Sequence, residues 1–143
     1  MSAPPRTIVL DNEAVQALLD PTHRKHRAVL AHLEVRNQRQ RGRRMSIRVL
    51  VPVAVRVEAG WDRTAATAAD INRISAAVDV DLRRGGADRA AQLRQTAEVS
   101  VVDATVGQAA ESATHPAVIL TSDIDDMTRL ADTLDGDVRA ISI

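Results

Sequence analysis

Short apolar runs alternate with stretches of helical period along this chain. The first run, Ile8-Val9-Leu10, leads straight into Asp11. Two of its three residues are β-branched, which suits a short buried strand. Beyond Asp11 the period changes. Val15, Leu18 and Leu19 fall at i, i+3 and i+4, which predicts a helix that Pro21 stops. A longer polar helix is expected over 23–41, with Val29, Leu30 and Leu33 as its apolar face and Gly42 at its end.

Residues 47–51 form the second strand candidate. Pro52 is expected to open the next helix, where the first turn needs no N–H. That helix is predicted to carry Glu58 and Trp61 and to end near Asp62-Arg63. A helix over 66–77 and a short strand over 78–80 follow. Arg84-Gly85-Gly86 is expected to turn the chain into a helix over 87–96. Ser100 followed by Asp103 three residues later reads as a capping box. It starts a helix with Val102, Val106, Ala109 and Ala113 on one face. After Pro116, residues 118–121 are the fourth strand. A helix over 125–134 shows Met127, Leu130 and Leu134 on one side, Gly136 breaks it, and 138–143 is the last strand.

Strands alternating with helices predict an α/β fold with three layers, α/β/α, around a parallel sheet of about five strands. The 143 residues suit a single domain over 1–143, with 1–6 as a loose tail. Apolar residues make up 45% of the chain, yet there is one Trp and no Phe or Tyr, so the core must be aliphatic. Aromatic platforms for stacking bases are excluded by the same count. Without cysteine there is neither a disulfide framework nor a thiolate site. No apolar run approaches a membrane span, and the first residues lack the core of a signal peptide. A cytoplasmic, soluble protein is the expectation.

The 19 basic and 19 acidic residues balance, but they are unevenly placed. Between Arg24 and Arg48 stand nine Lys or Arg residues and one acid, Glu34. Such a segment suggests a face that meets an anion, or a solvated basic helix. The four histidines, His23, His26, His32 and His115, lack the spacing of a metal motif and read as surface or packing residues. Neither a dinucleotide fingerprint nor a P-loop is present.

Four acids sit where chemistry is as good an explanation as structure. Asp11 and Asp123 follow the first and fourth strands, and in a parallel sheet they would share one rim, where ligands of such sheets gather. Asp103 lies in the first turn of its helix. Glu58 has Val55 and Trp61 at i−3 and i+3, so it is expected to be partly desolvated. Taken singly, Asp11, Asp103 and Asp123 are explained as helix caps or dipole partners. Gathered together, they would repel one another, and a hard divalent cation resolves that repulsion.

At these residues the chain resembles the PIN-domain nucleases, and most closely the VapC-type toxins of type II toxin–antitoxin pairs. The matching pieces are Ile8-Val9-Leu10-Asp11, Val57-Glu58-Ala59, Val101-Val102-Asp103-Ala104, and Ile119-Leu120-Thr121-Ser122-Asp123 with Asp125-Asp126 behind it. The resemblance implies a metal-dependent endoribonuclease in which Asp11, Glu58, Asp103 and Asp123 are catalytic and hold Mg²⁺ or Mn²⁺. Asp126 matches a further family acid that helps the metal. RNA would be hydrolysed by a metal-activated water. Homodimerisation and silencing by a cognate antitoxin protein are implied as well. Arg36, Arg39, Arg41, Arg43 and Arg44 are the candidates for holding the RNA backbone. Glu13 adds an acid close to the site, as ligand, neighbour or surface residue. Two alternatives stand beside this reading. One is a non-catalytic PIN-like module that binds RNA or protein. The other is a phosphoacceptor receiver domain, which would need a late lysine, whereas Lys25 is the sole lysine here.

Overall fold

The computed structural model describes residues 3–42 and 46–143, with the side chains of 38–42 left aside. Five strands make one sheet: β1 (Thr7–Leu10), β2 (Arg48–Pro52), β3 (Val78–Val80), β4 (Ala117–Thr121) and β5 (Val138–Ser142). Their order is β3-β2-β1-β4-β5, and every neighbouring pair is parallel. The chain builds outward from β1 through β2 to β3, then returns to lay β4 on the other side of β1. The direction of winding therefore reverses between β1 and β4, whose registers match Ile8 to Val118 and Leu10 to Leu120. All residues of β1 and β4 are buried, so both faces of the sheet are covered. The helices that cover them are α1 (Asn12–Leu19), α2 (His26–Gly42), α3 (Val53–Ala59), α4 (Ala69–Ser75), α5 (Arg84–Ala97), α6 (Val101–Ser112) and α7 (Ile124–Ala131). The result is the three-layer α/β/α arrangement that the alternating pattern predicts.

The core is aliphatic, as the composition requires. Val9, Leu10, Ile119 and Leu120 of the two central strands pack with Leu18 of α1, Val106 of α6 and Leu130 of α7. Trp61, the lone aromatic, is buried with them.

Four boundaries differ from the sequence expectation, each for a local reason. Pro52 closes β2 and is the N-cap of α3 rather than its first residue. Helix α3 ends at Ala59, because Gly60 takes a left-handed conformation (φ 71°) and its N–H turns back to the Arg56 and Val57 carbonyls. Trp61 therefore leaves the helix and does not share a face with Glu58. The predicted helix over 66–77 is a single 3-10 turn, Ala66–Ala68, followed by α4. The left-handed Ala76 stops α4, and the Arg36 guanidinium from α2 donates to the Ser75 carbonyl at 2.8 Å. Finally, α5 begins at Arg84, so Gly85 and Gly86 are its first turn and not a loop. A Cβ at Gly86 would lie 3.1 Å from the Gln108 side chain of α6, and glycine lets the two helices approach there.

Gly136 has the clearest demand of any glycine. Its φ is +89°, and a Cβ there would run into the His115 ring, which is held by a 3.0 Å contact between Nε2 and the Ala110 carbonyl. Gly136→Ala combines backbone strain with overlap and is expected to cost about 1–3 kcal/mol. The urea midpoint measures this, and an unchanged midpoint would contradict it.

Candidate functional site

The carboxyl ends of β1 and β4 adjoin at the point where winding reverses. Asp11 leaves β1 there, and its N–H donates to the Leu120 carbonyl at 3.3 Å. Its side chain caps α1: Oδ1 accepts from the Ala14 N–H at 2.8 Å. A cap is usually exposed, but Asp11 is only 4% exposed. Burial pushes its carboxyl up to about 6, against hydrogen bonding from the Thr121 hydroxyl and the Ala14 N–H. The charges of Asp103 and Glu13 push in the same direction as burial.

Asp103 enters from α6. Ser100 caps that helix, its Oγ accepting from the Asp103 N–H at 3.1 Å as the capping-box reading requires. The Asp103 carboxyl is raised as well. Burial is the largest cause, Ser100 opposes it, and Asp123, Glu58 and Asp126 add repulsion. Asp123 caps α7, accepting from the Asp126 N–H at 3.3 Å. Its own N–H donates to the Thr121 hydroxyl at 2.9 Å. Thr121 thus serves both strand exits: it supports Asp11 and fixes the backbone of Asp123. It is fully buried. Its signal in the sequence is a hydroxyl closing an otherwise apolar strand.

Capping therefore accounts for part of what Asp11 and Asp123 do. It does not account for a shared neighbourhood in which the charges of Asp123, Glu58 and Asp126 reach Asp103, and that of Asp103 reaches Asp11.

Glu58 arrives differently from expectation. It is exposed near the end of α3, beside Val57, which is 82% exposed. Because Gly60 carries Trp61 out of the helix, no apolar pair encloses the Glu58 carboxylate. Asp126 forms an ion pair with Arg129 at 2.9 Å, and the Arg129 Nε also donates to the Ala97 carbonyl at the end of α5. Glu13 faces His23 at 3.4 Å, at the edge of the site.

The donor set is one that hard cations take: carboxylate oxygens alone, whose charges act on one another. The side chains are not drawn together: among the described residues no group of three or more His, Asp or Glu is arranged to hold a metal ion.

Arg36, the arginine candidate whose side chain is described, does not lie at this rim. Arg36 is 5% exposed, and its guanidinium donates to the Ser75 and Ile74 carbonyls and to Asn37 Oδ1. Those partners precede β3 and lie toward the amino ends of the strands, away from the acids. The side chains of Arg39 and Arg41, and all of Arg43 and Arg44, fall outside the described residues.

No family model and no curated protein matches this chain. Among the described residues no helix is long and apolar enough to cross a membrane.

Proposed function

We propose that the chain is a metal-dependent endoribonuclease of the PIN-like, VapC type. In this reading it acts in the cytoplasm as a homodimeric toxin and is held in check by a cognate antitoxin protein. The observation that carries the proposal is the convergence of charge on Asp103. Burial raises its carboxyl most, the charges of Asp123, Glu58 and Asp126 on two other helices add to it, and Asp11 at the exit of the first strand lies in the same field. Stability of the fold alone gives no reason to place like charges within reach of a half-buried carboxylate.

Asp11, Glu58, Asp103 and Asp123 would hold Mg²⁺ or Mn²⁺, with Asp126 beside them. The ion would supply charge compensation for the scissile phosphodiester and ready water for attack. The protein's own contribution is positioning. The Ala14 N–H and Thr121 hold Asp11, Ser100 fixes the turn that presents Asp103, and Thr121 and the Asp126 N–H fix Asp123. Arg129 partly answers the charge of Asp126 through its ion pair.

The test is cleavage of labelled RNA by the purified protein with Mg²⁺ or Mn²⁺, beside an EDTA control and Asp123→Asn. Cleavage should need the cation and fall at least about tenfold in the variant, which has one charged ligand fewer. Equal cleavage by variant and wild type would sink the assignment. The spread of the carboxylates supports a second reading, a PIN-like module that binds RNA or protein without catalysis. A protein that binds RNA and never cleaves it with either cation would favour that reading.

A further inference from the structure

The corner of the sheet at the amino ends of β2 and β3 carries charge opposite to that of the acids at the carboxyl ends of β1 and β4. At the amino ends of β2 and β3 lies a cleft of about 500 Å³ whose lining includes Arg36, Arg48, Arg73 and Asn37. No Asp or Glu lines it among the described residues. A neighbouring cavity of about 390 Å³ shares Arg36, adds Arg139, and likewise has no carboxylate in its wall. Arg36 gives the cleft its character. It is nearly fully buried, yet its charge is answered only by two backbone carbonyls and the Asn37 amide oxygen, with no carboxylate partner among the described residues. A buried cation without a counter-ion is costly unless an anion approaches. Arg48 is exposed at the mouth. Arg73 meets only Asp70, in an exposed pair at 3.2 Å of the sort that contributes little.

We propose that this cleft is a second, metal-independent contact for the phosphodiester backbone of single-stranded RNA. The proposal rests on the reading that RNA is the substrate. The acidic rim repels phosphates wherever no cation is bound, so affinity for the rest of the strand has to come from elsewhere. Guanidinium groups suit phosphate through paired N–H donors. Contact through phosphates reads no sequence, which fits a surface without aromatic side chains for bases. The strand would pass from the acidic rim around the edge of the sheet at β3 to the basic one.

The experiment is fluorescence anisotropy of a labelled 20-nucleotide single-stranded RNA in EDTA, across a salt series. Arg48→Gln/Arg73→Gln changes two exposed side chains and spares buried Arg36. Arg84→Gln/Arg94→Gln on α5 is the charge-matched control. In the first variant two phosphates are left without a guanidinium partner. The slope of log affinity against log salt should then become shallower by about 1.4. Its affinity at low salt should fall several-fold, while the control keeps the wild-type slope. An unchanged slope in the first variant overturns the proposal, and so does an equal effect in the control. A polyglutamate peptide that competes as well as RNA of equal charge overturns it in favour of an acidic protein partner. EDTA keeps cleavage out of the measurement, so failure of the nuclease reading shows separately, as no hydrolysis of the same RNA once Mg²⁺ or Mn²⁺ is supplied.

Discussion

Asp11→Asn should lower cation-dependent RNA cleavage by at least about 100-fold, or about 2.7 kcal/mol of barrier, while making the protein more stable at neutral pH. The two effects have one origin. Asp11 is buried and carries a carboxyl raised to about 6. The folded state thus binds its proton more tightly than the unfolded chain, whose value is near 3.8. The stability that protonated Asp11 contributes is fully present below about pH 3.8 and is lost as pH rises through about 6. Above that, the fold carries a charge that its surroundings disfavour. The full shift corresponds to about 3 kcal/mol, with about 1 kcal/mol as a lower bound if the site admits water. Asn removes the charge at every pH and caps a helix as well as Asp does, so the Ala14 N–H keeps its partner.

The gain should therefore grow between pH 4 and pH 7. Paired urea unfolding of the two proteins at both pH values isolates it, since Asp20, Asp62 and Glu111, which are shifted the other way, contribute equally to each. A gain independent of pH would remove burial of charge as its cause. Cleavage within about threefold of wild type would remove Asp11 from the site.

The position of Asp11 is legible in the sequence because it follows from two local patterns. An apolar run ending in an acid marks a strand exit, and in a parallel sheet all exits share a rim. Two such runs therefore place Asp11 and Asp123 together, and the Ser100 capping box places Asp103 in a first turn. The environment of Glu58 turns on one residue. The periodicity of Val55, Glu58 and Trp61 assumes an unbroken helix, and Gly60 ends it before Trp61. Arg36 departs from expectation for a different reason. A charge run shows that one face is basic but not which face. The connectivity decides it: a helix that links parallel strands runs back across the sheet, so the end of α2, which leads into β2, lies at the amino rim. Arg36 follows that rule and contacts the turn that precedes β3. Thr121 shows in the sequence only as a hydroxyl that closes an apolar run, and its role emerges once β4 lies beside β1 and Asp11.

If the acids form a cation site, Mn²⁺ should stabilise the wild-type protein and leave Asp11→Asn nearly unaffected. Binding to the folded state alone adds about 2.7 kcal/mol when the free ion is at about 100 times its dissociation constant. For a domain of this size that is a rise of roughly 5–10 °C in melting temperature. The pH dependence distinguishes a site from general screening of charge. A cation competes with the proton on each ligand, and Asp11 and Asp103 both hold protons more tightly than ordinary carboxylates. Stabilisation should accordingly be small at pH 5 and rise as pH passes about 6, opposite in sign to the loss that Asp11 alone imposes on the metal-free fold. The cation and the unfavourable charge offset each other, so the apo protein should be least stable where the loaded protein gains most. Melting curves at pH 5 and 7.5, with and without Mn²⁺ at fixed ionic strength, measure this directly. A shift of equal size in wild type and Asp11→Asn, or a larger one at pH 5, would mean that the ion binds elsewhere and that the crowded carboxylates serve the fold alone.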